Sequence, residues 1–204
     1  MPEDITVFIV DDDEEVRDAL QLLMQSIGLN SKTYDSAQSY LDNFDAESPG
    51  CLVLDVRMKG MSGLALQSHL SSFDLHPPII IITGHGDISM AVQAVQAGAV
   101  DFLEKPFNEQ SLLESIYKAI EIDAEQRGVA CKKAEIQERI ERLTQREKEV
   151  MEEVVAGKRN KVIAYDLNIS QSTVEAHRAK VMEKMEASSL SDLMRMIFSI
   201  RTNI

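Results

Sequence analysis

A β-strand buried on both faces is predicted by the run Cys51-Leu52-Val53-Leu54-Asp55, which is apolar until its last residue. Pro49-Gly50 bounds the run on one side, and a loop with two glycines, Gly60 and Gly63, bounds it on the other. Asp55 is therefore expected at the carboxyl end of a strand, at the mouth of a parallel sheet.

Three further apolar runs end in polar residues. Residues 5–10 lead into Asp11-Asp12-Asp13, residues 79–82 into Thr83, and residues 100–103 into Lys105. Helix-period segments alternate with these runs, which predicts a doubly wound, flavodoxin-like α/β sheet in the strand order 2-1-3-4-5. Ligands of such sheets bind beyond the carboxyl ends of the strands. The acids, the hydroxyl and the ammonium are thus expected to converge at one edge.

The expected cluster fits metal-assisted phosphoryl chemistry. Two carboxylates about 4 Å apart repel by roughly 4 kcal/mol at an effective dielectric of about 20, so three stay ionised only beside a cation. Mg²⁺ is the expected ion, with Mn²⁺ as the alternative, and Asp11 and Asp12 are its expected ligands together with Asp55. Asp55 is the expected nucleophile, and Thr83 and Lys105 the expected partners of the phosphoryl oxygens. By itself, Asp11-Asp12-Asp13 is also typical of a helix cap and first turn.

The charge is divided unequally along the 204 residues. Residues 1–123 hold 6 Lys and Arg against 21 Asp and Glu, a net charge of −15, while residues 124–204 hold 15 against 13. An acidic, metal-binding half is therefore followed by a half that tolerates a polyanion. The two cysteines form no disulfide pattern, and neither a signal peptide nor a membrane span is apparent, so a cytoplasmic protein without membrane contact is expected.

The second half predicts a linker followed by a helix-turn-helix. Residues 121–142 are rich in strong helix formers and extend the last helix of the first half, with Gly128 as the expected place for a bend. Thr144-Gln145-Arg146-Glu147 is a capping box that opens the next helix. Two short helices then flank the turn Asn168-Ile169-Ser170, and the second, from Gln171, is expected to read the major groove.

One stripe of that second helix is expected in the core and the neighbouring stripe on DNA. The core stripe is Val174, His177, Val181 and Met185. The expected DNA contacts are Lys161, Gln171, Ser172, Thr173, Glu175, Arg178, Lys180 and Met182. Lys158, Arg159 and Lys184 are further candidates for phosphate contact, the alternative being ordinary solvated charges.

In its first 122 residues the chain resembles the receiver domain of two-component response regulators. The matching pieces are Val10-Asp11-Asp12, Asp55 with Arg57-Met58, Thr83-Gly84-His85-Gly86 and Lys105-Pro106-Phe107. The resemblance implies that Asp55 accepts a phosphoryl group from a sensor histidine kinase and that the backbone carbonyl of Arg57 helps to hold Mg²⁺. It also implies that Phe102 changes rotamer with Thr83. Lys59 stands where many relatives carry proline.

The remainder resembles the LuxR/GerE-type output domain. The matching pieces are Leu143-Thr144-x-Arg146-Glu147, Gly157-x-x-Asn160-Lys161-x-Ile163-Ala164 and Ser170-x-x-Thr173-Val174-x-x-His177-Arg178. The whole chain is similar to FixJ-type members of the NarL/FixJ response regulators. This implies a homodimer on activation, with Leu190, Leu193, Met194 and Ile197 of the last helix as the dimer contact on DNA. Glu175 stands where many relatives carry lysine, and a glutamate there is able to accept from cytosine N4.

The sequence thus predicts a phosphorylation-activated transcription factor. Its expected parts are a receiver domain (1–122), a helical linker (123–142) and a LuxR-type DNA-binding domain (143–204). Promoter DNA and RNA polymerase are its expected partners, and Val92 and Gln96 are expected in a receiver dimer contact. It is not expected to be an enzyme, apart from assisting phosphorylation of Asp55 and slow autodephosphorylation.

Two alternatives share parts of this pattern. A Mg²⁺-dependent phosphatase that passes through an aspartyl phosphate would use a similar carboxylate pocket, but it usually has a second acid two residues after the nucleophile, where this chain has Arg57. A receiver whose second half binds protein is the other alternative. Only DNA binding would make the affinity fall steeply with salt.

Overall fold

The computed structural model describes residues 5–84 and 88–201, and its contacts divide the chain into two units, residues 1–127 and 128–204. The loop residues His85 and Gly86, and Asp87 as a start of the fourth helix, lie outside the described residues. Within the described part of the chain, no helix is both long and apolar enough to cross a membrane.

The first unit is a parallel sheet with helices on both faces. Its strands are β1 (Thr6–Val10), β2 (Asn30–Tyr34), β3 (Gly50–Asp55), β4 (Ile79–Thr83) and β5 (Asp101–Glu104). Its helices are α1 (Glu14–Ser26), α2 (Ala37–Asp42), α3 (Gly63–Leu70), α4 (Ile88–Gln96) and the first part of α5 (Glu109–Glu141). The order is β2-β1-β3-β4-β5 and all neighbours are parallel, so the flavodoxin-like prediction is confirmed.

Strand β3 lies at the centre of the sheet and is buried along its whole length. Leu52 and Leu54 pack into the core on one face, and Cys51 and Val53 pack into the core on the other. Successive side chains of a strand point to opposite faces, and helices cover both faces here. A continuous apolar run is therefore what the position requires, and Asp55 at its end is itself buried.

Gly63 lets the loop after β3 fold back against the strand. A Cβ atom at this position would lie 2.2 Å from the carbonyl oxygen of Asp55, which no real side chain could tolerate. The N–H of Gly63 donates to the carbonyl oxygen of Val56 at 3.0 Å, and the hydroxyl of Ser62 caps α3 through the N–H of Ala65. The backbone around Asp55 is thus fixed on both sides.

A buried ion pair extends the first unit to Arg127. The carboxylate of Asp123 is buried, and its Oδ2 accepts from the N–H of Gly50 at 2.9 Å and from Nε of Arg127 at 2.8 Å. The two Nη atoms of Arg127 donate to the carbonyl oxygens of Ala46 and Ser48 at 2.9 and 2.7 Å. The boundary between the two units therefore lies beyond residue 122, between residues 127 and 128. The predicted division into receiver, linker and DNA-binding domain at residues 122 and 142 stays a prediction.

In the part of the second unit that the structure describes, four helices follow α5 and form a bundle. They are α6 (Gln145–Val155), α7 (Asn160–Asp166), α8 (Gln171–Lys184) and α9 (Leu190–Arg201). Helix α5 continues through Gly128, and its residues Ile136 and Ile140 pack against the core of this unit. Helices α7 and α8, joined by a turn in which Asn168 has φ 54°, form the predicted helix-turn-helix. The apolar pattern of residues 159–167 also predicts Val162 in the core of this unit, but Val162 is 45% exposed because α7 packs through Ile163 and Ala164 instead.

The predicted capping box of α6 is confirmed and includes an ion pair. Thr144 Oγ1 accepts from the N–H of Glu147, and Glu147 Oε2 accepts from the N–H of Thr144 at 2.8 Å. Lys184 Nζ lies 2.6 Å from the same Oε2 atom, and the Glu147 side chain is buried. The hydrogen bond from Lys184, followed by that from the Thr144 backbone, lowers the pKa of Glu147 to about 2.

We expect Glu147→Gln to lower the unfolding free energy of the second unit at pH 7 by about 1 to 3 kcal/mol, because a charged hydrogen bond is lost. The folded pKa lies below the usual value of 4.5, so the contribution is present above about pH 4.5 and disappears as the pH falls toward 2. Hydrogen exchange of the α6 amides across this pH range measures it. Glu149→Gln removes the charge of a less buried acid, which pairs with Arg146 and accepts a long hydrogen bond from Gln145, and it serves as the control. Equal effects of both substitutions at pH 7 would contradict the role of Glu147.

Candidate functional site

Three carboxylates meet at the carboxyl edge of the sheet. Asp11 follows β1, Asp55 ends β3, and Asp12 lies next to Asp11. One carboxylate oxygen of each lies within 4.8 Å of the others. Asp11 and Asp55 are buried, whereas Asp12 is exposed. The prediction that strand ends bring these acids together agrees with this arrangement.

Lys105 bridges the two buried carboxylates. It follows β5, and its Nζ lies 2.6 Å from Asp11 Oδ2 and 2.9 Å from Asp55 Oδ1. Burial lowers the pKa of Lys105, but the hydrogen bonds to Asp11 and Asp55 raise it by more, so the net shift is upward. The side chain therefore remains an ammonium at the edge of the cluster. The Lys105–Pro106 peptide bond is cis.

The carboxylate of Asp55 is held from a second side by the loop that follows it. The N–H of Arg57 donates to Asp55 Oδ2 at 2.7 Å. Burial raises the pKa of Asp55, as does the nearby charge of Asp11, and these effects outweigh the opposite effect of Lys105. The ionised form is thus poorly solvated, which favours neutralisation by a cation or by covalent modification.

Thr83 and Phe102 lie on the two strands next to Asp55. Thr83 ends β4 and is fully buried, and its carbonyl oxygen accepts from the N–H of Lys105 at 2.8 Å. Phe102 lies on β5 in register with Ile81 of β4, and it is half-buried against the core that contains Ile81. A half-buried aromatic ring has room for a change of rotamer that a fully packed ring lacks.

Two contacts at the cluster were not expected from the sequence. Arg17 Nη1 donates to the carbonyl oxygen of Asp11 at 2.8 Å, and the N–H of Asp13 donates to Asp11 Oδ1 at 2.9 Å. Asp13 is in addition the cap of α1, because its side chain accepts from the N–H of Glu15. The sequence signal for the first contact is weak: Arg17 is a basic residue about one turn into α1, in a strongly acidic half of the chain.

These groups fit a hard divalent cation. The ligand atoms are carboxylate oxygens, three acids face one ammonium, and the exposed side of Asp12 leaves the cluster open to solvent. Mg²⁺ prefers oxygen ligands, few of them from the protein and the rest from water. A metal beside a carboxylate at a strand end is suited to phosphoryl transfer.

Helix α8 buries one face and exposes another, as expected. Val174, Val181 and Met185 are buried, and His177 is half-buried. Of the expected DNA contacts, the exposed ones are Lys161, Gln171, Ser172, Glu175 and Lys180, and Thr173 is half-buried beside the helix cap.

Arg178 and Met182 lie closer to the core than we expected. Both are half-buried and line a small cavity with Val150 and Leu193, and Met182 packs against the core of the unit. The expectation that their stripe is free of core contacts is therefore wrong for these two residues, because α6 packs against that flank of α8.

Two of the candidate phosphate contacts are engaged within the second unit. Lys158 pairs with Glu153 and Asp166, and Lys184 pairs with Glu147. Lys161 and Lys180 are exposed, and neither forms an ion pair within the described part of the second unit.

Part of the predicted dimer face lies inside the second unit. Leu193 and Ile197 are each 1% exposed and belong to its core, so they are not available to a second chain. The α9 helix is apolar over a broad arc, and one side of that arc packs against the bundle. Leu190 is 40% exposed and Met194 is half-buried, so only these two of the four keep accessible surface. In the first unit, Val92 and Gln96 of α4 are exposed.

The fold and the acidic cluster define a receiver followed by a helix-turn-helix domain, and comparison with known proteins agrees. Residues 7–117 match the family described as response regulator receiver domain, and residues 141–197 match the bacterial regulatory proteins of the luxR family. The chain belongs to the response regulators with a LuxR-type output domain, and it is a phosphorylation-regulated, DNA-binding transcription factor of a two-component system.

Relatives match almost the whole chain. The transcriptional regulatory protein FixJ of Azorhizobium caulinodans is 45% identical over 96% of this chain and 93% of its own. The response regulator protein TodT of Pseudomonas putida is 43% identical over 97% of this chain and 87% of its own. The solved structure of the response regulator StyR is 42% identical, covers 96% of this chain and 98% of its own, and has a TM-score of 0.82.

Proposed function

We propose that Asp55 is the residue that accepts the phosphoryl group. The observation that carries this proposal is its position: it ends the central strand, lies in a cluster with Asp11 and Asp12, and is 2.9 Å from the Lys105 ammonium. A carboxylate oxygen of Asp55 attacks the phosphorus of a phosphohistidine on a sensor histidine kinase. The O–P bond forms, the P–N bond breaks, and the imidazole nitrogen keeps the electron pair and takes a proton from solvent.

Asp11, Asp12, Asp55 and the carbonyl of Arg57 would hold Mg²⁺, or Mn²⁺ in its place. A bound divalent ion supplies charge neutralisation for the phosphoryl oxygens. Lys105 keeps its ammonium at the same edge, and the hydroxyl of Thr83 ends the neighbouring strand. Slow autodephosphorylation follows when water attacks the same acyl phosphate and returns the free carboxylate.

The energy of the modification is large enough to operate a switch. The acyl phosphate carries a charge of about −2 where the ionised carboxylate carried −1, and it brings three strong acceptor oxygens. Hydrogen bonds to charged groups contribute about 1.5 to 3 kcal/mol each, and inverting a 99:1 equilibrium takes about 5.5 kcal/mol. Contacts from Thr83 and Lys105 together supply roughly that amount. Inward rotation of Phe102 then carries the change to the surface on which Val92 and Gln96 lie.

In the second unit, α8 enters the major groove and the chain acts as a dimer on promoter DNA. Gln171, Ser172 and Glu175 reach base edges, and Lys161 and Lys180 contact phosphates; Thr173, Arg178 and Met182 lie at the border of this face. Leu190 and Met194 contribute to the dimer contact. Its proposed partners are promoter DNA and RNA polymerase. Because both are cytoplasmic, the chain acts in the cytoplasm.

The proposed phosphoacceptor is tested by treating the full chain with acetyl phosphate and mapping the modification by mass spectrometry. We expect a single phosphoryl group, on the peptide that contains Asp55, when Mg²⁺ or Mn²⁺ is present. Removal of the divalent ion with EDTA should reduce the uptake to background, because the acids then repel the incoming phosphate. A phosphoryl group on another residue, or unchanged uptake in EDTA, would contradict the proposal.

A further inference from the structure

Glu175 lies on the exposed face of α8, between two small residues. Ser172 and Ala179, about one helical turn before and after Glu175, are both exposed and short. An acid on this face repels the phosphates of any duplex, which weakens binding to all sequences alike. An acid here is therefore favourable only if it increases the affinity for particular DNA sequences.

The carboxylate of Glu175 is oriented by α7 and by Arg178. Arg178 Nη1 lies 2.7 Å from Asn160 Oδ1, and a guanidinium only donates, so the amide nitrogen of Asn160 must point the other way. That nitrogen lies 3.5 Å from Glu175 Oε1. Arg178 is itself held, because its side chain is half-buried against α6.

The hydrogen bond from Asn160 uses one accepting site of Glu175 Oε1, and a carboxylate has about four such sites. Both carboxylate oxygens of Glu175 remain able to accept from a ligand. Arg178 and Asn160 thus form a support on one side of Glu175, and solvent lies on the other.

A carboxylate distinguishes the four bases because it only accepts. In the major groove, cytosine offers the N4 donor, guanine offers two acceptors, and thymine offers an acceptor and a methyl group. Adenine has a donor, but its N7 acceptor lies next to it and repels a carboxylate. Cytosine alone presents a donor without an adjacent acceptor on the same base.

We propose that Glu175 is a specificity-determining residue that selects cytosine at one position of each half-site. Asn160 and Arg178 are positioning residues that hold its carboxylate toward the groove. This assignment rests on the proposed function of α8 as the helix that reads promoter DNA, and it names what one of its side chains reads.

The assignment is tested by selecting binding sites from a random duplex library with the phosphorylated full chain. Wild type should select cytosine at one position per half-site, about tenfold or more over other bases. Glu175→Lys should change the preference there to guanine, and Glu175→Gln to adenine, because those side chains pair with G O6/N7 and A N6/N7. The other positions of the site should keep their preferences.

Two further variants separate base reading from a general charge effect. Asn160→Ala should reduce the cytosine preference at that one position to a few-fold and leave the rest of the motif unchanged. Lys180→Ala should lower the affinity for all sequences alike, because it removes a phosphate contact. Circular dichroism of each variant verifies that it is folded.

The assignment is overturned if Glu175→Lys and Glu175→Gln raise affinity for every sequence without altering the selected base. In that case α8 still reads DNA, and the proposed function stands without it. A wild-type chain that selects no sequence at all would overturn the proposed function of α8 and this assignment with it.

Discussion

Asp55→Asn is expected to abolish phosphoryl uptake and to leave promoter affinity at the level of the unphosphorylated chain. In wild type, the two proposed hydrogen bonds to the phosphoryl group would provide at least about 3 kcal/mol, which corresponds to roughly a hundredfold rise in affinity. An amide does not form the acyl phosphate, so this rise should be absent. Fluorescence anisotropy with labelled promoter DNA, before and after acetyl phosphate, measures the difference.

The loss should not come from unfolding of the first unit. Burial raises the pKa of Asp55 in the folded state above its value in the unfolded state. The folded state therefore loses stability as the pH rises from the unfolded pKa through the folded pKa and the carboxyl ionises. Asparagine is neutral, and Asp55→Asn is therefore expected to unfold at a higher urea concentration than wild type at pH 7. Asp18→Asn makes the same chemical change at an exposed position of α1 and should leave both phosphorylation and affinity unchanged. A full affinity rise in Asp55→Asn would contradict the assignment.

Arg127→Met is expected to lower the unfolding free energy of the first unit by about 3 to 5 kcal/mol, because it leaves the charge of Asp123 buried and unpaired. It also removes two hydrogen bonds to the carbonyl oxygens of Ala46 and Ser48. Adding Asp123→Asn should recover part of the loss, since asparagine keeps an acceptor for the N–H of Gly50 but carries no charge. Urea unfolding followed by circular dichroism measures the free energies, and hydrogen exchange at β3 assigns the transition.

Arg142→Met is the matched control for this pair. Its partner Glu138 is also four residues away on α5, but both side chains are more than half exposed, so the loss should be below about 0.5 kcal/mol. If Arg127→Met unfolds at the same urea concentration as wild type, the buried pair contributes nothing to stability.

The acidic cluster was predictable because it depends on strand order alone. Parallel strands end at the same edge of a sheet, so acids after β1 and β3 and a lysine after β5 must lie near each other once the sheet is recognised. The contacts of Asp123 and Arg127 were not predictable in this way. The two residues are four apart in a charged helix, which is typical of a solvated pair, and their other partners are backbone groups of the first residue of β3 and of the loop before it.

The helical half was harder to predict in detail for a related reason. Periodicity gives the apolar arc of a helix but does not say how much of the arc the bundle covers. In the predicted dimer contact of α9, Leu193 and Ile197 are covered by the bundle, whereas Leu190 is 40% exposed. All three side chains are apolar, so the sequence does not distinguish them. In the same way, Val162 is exposed and Met182 half-buried because of where α7 and α6 pack.

Control of DNA binding by phosphorylation is tested by measuring promoter affinity and phosphorylation in the same samples of the full chain. Samples are phosphorylated to different extents, and intact mass spectrometry and anisotropy are recorded for each across a range of salt concentrations. We expect tight binding to rise with the fraction phosphorylated on Asp55, and log K to fall steeply with log salt in every sample. Affinity that does not change with phosphorylation, or that does not depend on salt, would contradict it.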